Sequence, residues 1–331
     1  SVDWTNGGSL RLAIGEHNLP ILEQSLEVYK KLGIENNYEL LNQAETERRI
    51  RVHGVKGSIL TKNSAVLNPG KLARQLARIL ETRGVKIYEK SAVIDVKPGS
   101  GEELPQLVTD KAHIKARIAI VLAGEAYMSQ LKSYRRRTIP MYSQIVLTEP
   151  LTDSQWKEIG WDNRESIGST SLAVDYLQRT IDGRILFGGR GTPYPFGSKI
   201  KDANDRFEQN FQKIREKVIR WFPILEGITF THAWGGPLGV TREWTPNILF
   251  DKRTRVASAW GYAGQGVSTT NLAGRILTDL ITEKQSDLVE LPIVQYQSRN
   301  WEIEPFRWLG IRFVQSRKIP NLEVFHHPEE L

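Results

Sequence analysis

The residues best suited to chemistry lie in one run, Trp260-Gly261-Tyr262-Ala263-Gly264-Gln265-Gly266-Val267-Ser268. Three glycines within six residues let a backbone come close to a ligand. A strand-like run, Val256 to Trp260, precedes them, and a helical pattern follows from about Ser268 or Thr269. The first turn of such a helix holds amide N–H groups without intrahelical acceptors, at the positive end of the helix dipole. That arrangement suits an anion, or a ring that gains negative charge as it accepts two electrons. Gly264, Gln265 and Gly266 are the central candidates, flanked by Gly261, Tyr262, Val267 and Ser268. Spacing alone fits a tight strand-to-helix turn with no ligand equally well.

Other reactive residue types read as ordinary structure. The absence of Cys excludes disulfides, thiolate zinc sites and cysteine nucleophiles. His232 sits in a strand-like run, and His326-His327 lack flanking ligands, so no metal site is expected. Glu302 and Glu304 read as surface charge, and Arg135-Arg136-Arg137 as a solvated loop. A net charge of +7 over 331 residues is too dispersed for a nucleic-acid footprint but compatible with anionic ligands. No apolar run approaches the roughly 18 residues a membrane helix needs. A cytoplasmic location is expected.

The elements that must position these residues follow from periodicity. Asn18 and Pro20 open a helix with Ile21, Leu22, Leu26 and Tyr29 on one face, closed by Gly33. Asn42 and Glu45 have capping-box spacing. Asn68-Pro69 opens a longer helix with a Leu72, Leu76, Ile79, Leu80 stripe, ended by Gly84. Val85–Tyr88 and Ala92–Val96 read as short strands. The unbroken run Ile118–Ala123, ending in Gly124, fits a strand covered on both faces. From Tyr142 to Phe187 the texture is alternating, with Asp182-Gly183 as a hairpin turn. Phe207, Phe211, Ile214 and Val218 share one face of a helix that stops near Pro223. Strands follow at Ile228–Trp234 and Val256–Trp260, then a helix striped with Leu272, Ala273, Ile276, Leu277 and Leu280. The tail from Leu291 reads as surface wrapping.

Gly261-Tyr262-Ala263-Gly264-Gln265-Gly266-Val267, with Leu272-Ala273-Gly274-Arg275 behind it, resembles the C-terminal flavin-contacting motif of the glycine/D-amino-acid oxidase superfamily, which includes sarcosine oxidase-like and gamma-glutamylputrescine oxidoreductase-like enzymes. Other stretches match in the same order. Asn68-Pro69-Gly70-Lys71-Leu72 with Ala92–Val96 resembles the family's helix and the strand beside the adenine. Ala123-Gly124-Glu125-Ala126-Tyr127 resembles the segment that closes its parallel sheet. Leu186–Gly191 and Trp234-Gly235-Gly236 to Pro246 resemble parts of its substrate sheet.

The resemblance implies an α/β, two-domain fold: an incomplete Rossmann-like FAD-binding domain plus a substrate domain with a large, mostly antiparallel sheet. Its implied boundaries are 1–62 and 131–245 for the substrate domain, 63–130 and 246–285 for the FAD-binding domain, and 286–331 for a tail. The implied cofactor is FAD, and the implied substrate is a small amine or amino acid oxidised at its C–N bond. Val93, Ala123, Gly124, Trp234, Gly235 and Gly236 join the glycine run as implied cofactor contacts. Arg190, Arg242, Tyr142 and Tyr194 are candidate substrate contacts, an arginine being able to hold a carboxylate through two parallel hydrogen bonds. A non-catalytic flavoprotein subunit and a cofactor-free interaction protein of the same fold are the alternatives.

One family feature is not found. The family opens with a strand, a GxGxxG turn and a helix, whereas this sequence opens at Ser1 next to a strand-like run, Gly8–Ala13, and reads as a fragment. The nearest match, Gly99-Ser100-Gly101-Glu102-Glu103-Leu104, lacks the third glycine and reads as linker. The expectation is therefore weak or no FAD binding and little activity for this chain alone, with FAD bound by the full-length protein.

Overall fold

Local capping fixes where the early helices start. The computed structural model describes residues 1–171 and 174–316. Strand β1 (Ser9–Ile14) leads to α1 (Leu19–Lys31), β2 (Tyr38–Asn42), α2 (Gln43–Glu47), β3 (Val55–Thr61) and α3 (Pro69–Thr82). The capping box closes as its spacing implied: Glu45 N donates to Asn42 Oδ1 at 2.9 Å, and Asn42 N to Glu45 Oε2 at 2.8 Å. Asn68 Oδ1 caps α3 by accepting from Lys71 N at 3.0 Å.

A small antiparallel meander follows, β4 (Val93–Lys97), β5 (Gln106–Thr109) and β6 (His113–Lys115), and then β7 (Ile120–Leu122). Gly99-Ser100-Gly101 lies in the turn between β4 and β5, so it is a connection within the meander. The chain continues through β8 (Ile139–Thr148), α4 (Asp153–Ile159), β9 (Ser166–Ser169), β10 (Tyr176–Arg179) and β11 (Ile185–Arg190). Asp182-Gly183 forms the expected hairpin turn between the last two. Then come α5 (Asp202–Asp205), α6 (Glu208–Trp221), β12 (Phe230–Val240), β13 (Asn247–Asp251), β14 (Val256–Trp260), α7 (Gly266–Ile281) and α8 (Phe306–Ser316).

Two sheets position the candidate site. The larger has eight strands in the order β12-β8-β11-β10-β9-β1-β3-β2, antiparallel at every pairing except β1 with β9. Helix α6 covers one of its faces. Phe211, Ile214, Val218 and Trp221 share a core with Val146, Ile185 and Phe187, each such side chain contributing roughly 1.5–3 kcal/mol on burial. The second sheet has the order β13-β14-β7, with β14 parallel to β7. All five residues of β14 are buried, and α7 lays Ala273, Ile276 and Leu277 against Ile248, Ala257 and Ala259.

Two expectations need correction, and a third element is less covered than its pattern would allow. The run at 118–123 is not covered on both faces: Val121 is 50% exposed and Ile118 73%. Residues 85–88 form no strand, because none of the described residues pairs with them. Helix α3 has the expected apolar stripe yet buries none of its residues, with Leu76, Ile79 and Leu80 all 43–50% exposed. Periodicity reports which face is apolar; whether anything covers that face depends on distant segments.

Candidate functional site

The turn after β14 is bent by glycine and held from three sides. Gly261 has φ +83°, and any side chain there would run into the methyl group of Thr241. Ala263 N donates to Gly239 O of β12 at 3.1 Å, and Gln265 N to Tyr262 O at 2.9 Å. Tyr262 is buried, and that burial, with Glu125 beside it, pushes its hydroxyl up to about 12. Beyond this anchored base, Gly264, Gln265, Val267 and Ser268 are exposed. The turn is therefore open on its outer side.

Helix α7 starts at Gly266, earlier than Ser268 or Thr269. Those hydroxyls do not cap it; both donate back to Gln265 O, at 3.4 and 2.8 Å. No side chain caps α7, so the amides of Gly266, Val267 and Ser268 lack intrahelical acceptors. An exposed glycine turn thus meets an uncapped helix start, a fit for an electron-rich ring edge or an anion.

The sequence reading missed Glu125. This residue follows Gly124 at the end of β7 and takes φ +46°. Its carboxylate accepts from Tyr262 N at 2.9 Å and from Gly239 N. Burial raises its pKa above the usual carboxylate range, against the pull of these backbone donors. One side chain so joins β7, the glycine turn and β12. Only its place behind the Ala123-Gly124 pair hinted at this.

The face of the larger sheet opposite α6 adjoins the turn. Register places Trp234 beside Ile145, Gly236 and Arg190 beside Ser143, and Tyr176 beside Gly188. Alternation puts Trp234, Gly236, Ser143, Tyr176 and Arg190 on this face together. Trp234 is 40% exposed, which rules out a core role, and a side chain added at Gly236 would meet open space. Gly235 points the other way, where a Cβ would meet Asp205 O at 2.7 Å. On that covered face Gln144 accepts from Asn210 at 2.9 Å and Thr192 at 3.1 Å.

The four substrate candidates separate clearly. Arg190 reaches the turn, donating from Nη2 to Ala263 O at 3.0 Å, with its guanidinium 5.4 Å from the Trp244 ring centre. Arg242 instead pairs with Glu302 at 3.2 Å and lies over Trp301. Tyr142 is buried on the α5 side, its hydroxyl accepting from Asn204 at 3.1 Å. Tyr194 is also buried, its hydroxyl 2.8 Å from Ser198 Oγ and donating to Glu304 at 3.2 Å.

The remaining candidates lie around these. Val93 is 36% exposed on β4, an edge strand, while Val96 of the same strand packs with Ile120 and Trp260. Ala123 is exposed beside Gly124. The arginine run at 135–137 is not a free solvated loop: Arg136 Nε donates to Trp301 O at 2.7 Å, and Arg135 O accepts from Arg307 at 3.2 Å. Glu304 is likewise spent on Arg307 at 2.9 Å. His232 is exposed, with a ring nitrogen 2.9 Å from Thr231 Oγ1. His326-His327 lie outside the described residues. No helix among those residues is long and apolar enough to cross a membrane.

A family model described as FAD dependent oxidoreductase (DAO) matches residues 1–280. The probable oxidoreductase OrdL of Haemophilus influenzae is 28% identical over 286 residues, covering 84% of this chain and 62% of that protein. The gamma-glutamylputrescine oxidoreductase of Escherichia coli is 26% identical over 317 residues, covering 94% of this chain and 70% of that protein. This chain therefore spans about two thirds of the length of these relatives. Among solved structures, the glycine oxidase of Geobacillus kaustophilus superposes with a TM-score of 0.73 at 18% identity, over 90% of this chain and 76% of that one. The fold is shared.

Proposed function

Because the chain belongs to the DAO family of FAD-dependent oxidoreductases, we propose that the protein oxidises the C–N bond of an amine or amino acid to an imine, which water then hydrolyses. The observation that carries this reading is the exposed glycine turn at the uncapped start of α7, set against an open sheet face. A flavin held there would supply the two-electron acceptor for that oxidation.

The chain's own residues do the rest. The free amides of Gly266, Val267 and Ser268 would hold the electron-rich edge of the ring, with Gly264 and Gln265 exposed beside them. Gly261, Tyr262 and Glu125 hold the turn in shape. Trp234 and Gly236 would hold the ring side of the cofactor, Ala123 and Gly124 its dinucleotide, and the backbone of Val93 its adenine. Gly235 supports the floor from behind.

The test is anaerobic. Under argon, the FAD-loaded protein should bleach when mixed with one of a panel of amines that includes glycine and gamma-glutamylputrescine. The amine must be neutral before its carbon gives up hydride, so kcat/KM should rise between pH 6 and 9. Failure of every amine to bleach a flavin that dithionite reduces would end this reading.

A further inference from the structure

We propose that α8 docks on an anionic bilayer surface, lying along the interface with its outward apolar stripe among the acyl chains and the surrounding cations at the headgroups. The contact needs neither FAD nor an amine, so it stands apart from the proposed reaction.

Helix α8 wears its two faces in reverse. Its inner face is held by polar anchors. Arg307 is buried, donating from Nε and Nη2 to Glu304 Oε1 at 3.0 and 2.9 Å and from Nη1 to Arg135 O at 3.2 Å. Tyr194 N donates to Gln315 Oε1 at 3.3 Å, and Trp308 and Ile311 pack against the core of Ile139, Val240 and Trp301. These contacts fix the helix in one orientation. Helical spacing puts Phe306, Leu309, Gly310 and Val314 on the opposite face. Phe306, Leu309 and Val314 are each more than half exposed, as is Ile303 just before the helix. Phe196, equally exposed, extends the patch through its edge contact with Trp308, ring centres 6.2 Å apart. Large apolar side chains held outward in a row mark an interaction surface. At 11 residues the helix is too short to span a bilayer, but it can lie on one.

Charge selects the occupant. Arg135 is exposed beside Arg307, and Lys199 is exposed just beyond Phe196. Arg312 lies on the flank of α8 and shares a cavity with Lys213 of α6. Arg317-Lys318 follow the helix in sequence. Of the neighbouring acids, Glu302 and Glu304 already meet Arg242 and Arg307, Glu208 meets Arg215, and Asp202 follows Lys199 and Lys201 in sequence. Apolar bulk with lysine and arginine at its margin suits the boundary between acyl chains and anionic headgroups. A second copy joined about a two-fold axis would set the cations against their like. Nucleic acid would use the cations and leave Phe306, Leu309 and Val314 facing a polyanion.

Vesicle sedimentation of the whole chain tests this. The protein should bind vesicles of mixed phosphatidylcholine and phosphatidylglycerol at least about tenfold more tightly than phosphatidylcholine alone. Added salt should weaken that binding. Leu309→Glu should weaken it at least about tenfold and Arg312→Glu several-fold. Leu76→Glu, on the exposed stripe of α3, should leave it unchanged. Both glutamate variants replace exposed leucines, so their circular dichroism should match that of the wild type. Because the sequence has no cysteine, an environment-sensitive dye can be attached at Leu309→Cys alone. Its emission should shift to the blue on anionic vesicles, and the same dye at Leu76→Cys should not respond. No binding, equal binding to both vesicle types, or equal loss in Leu76→Glu would overturn the proposal. So would a dimer in solution that Leu309→Glu dissolves, which gives the face to a second copy, or duplex DNA bound as tightly as the anionic vesicles.

Discussion

The Glu125 carboxylate serves two amides from separate strands, Gly239 N of β12 and Tyr262 N beyond β14. Glutamine has one carbonyl oxygen, so Glu125→Gln leaves one of them facing an NH2 group. We expect a deficit of about 1–3 kcal/mol in urea unfolding, the cost of one unsatisfied buried group. The deficit should also depend on pH. Burial holds the folded-state pKa of Glu125 above its ordinary 4.5. The wild type therefore gains most, relative to the untitratable glutamine, below pH 4.5, and loses that advantage as pH rises through the raised value. Unfolding curves from pH 4.5 upward should show the gap narrowing; a constant gap would reject the raised pKa. Little of this was legible from the sequence. Glu125 looked like any polar residue after a strand, and Arg190 and Arg242 looked equivalent. Their difference lies in Glu302, 60 residues from Arg242 in sequence, and in the absence of any such partner for Arg190 among the described residues.

At the scale of elements, α7 has two roles that a single substitution can separate. Its stripe of Ala273, Ile276 and Leu277 anchors it to β14, while its uncapped first turn faces outward. Val267 lies in that turn and is 51% exposed, so replacing it costs little packing. In Val267→Asp the new carboxylate interacts favourably with the helix dipole, by about 0.3–1 kcal/mol. The same charge would oppose an electron-rich ring at the turn. Val267→Asp should unfold at the same or higher urea concentration while binding FAD at least about tenfold more weakly. Unchanged affinity would mean the ring lies elsewhere. Elements of this kind were largely readable, because capping at Asn42 and Asn68 and the stripes of α6 and α7 are local patterns. The start of α7 was misplaced because Ser268 and Thr269 resemble caps but bond backwards to Gln265 O.

For the molecule as a whole, stability should be uneven, and the unevenness follows from which faces are covered. The eight-stranded sheet joins distant segments, β1 beside β9 and β8 beside β12. No local pattern announced that order, although the alternation that makes it possible was visible. Its strands and α6 share one large core. Helix α3 shares none of it: its apolar stripe is exposed, as are Val85 at 46%, Ile87 at 44% and, on β7, Val121 at 50%. A 14-residue helix is marginal in water without tertiary packing. Amides of α3 and of residues 83–92 should therefore exchange with deuterium at least about a hundredfold faster than those of β8 and α6, which open only with the core. Hydrogen exchange read by mass spectrometry checks this directly. If α3 is instead as protected as α6, its apolar stripe is covered in solution. A covering of the Leu76, Ile79 and Leu80 face would then have to be included in any account of how the β7 side of the candidate site is completed.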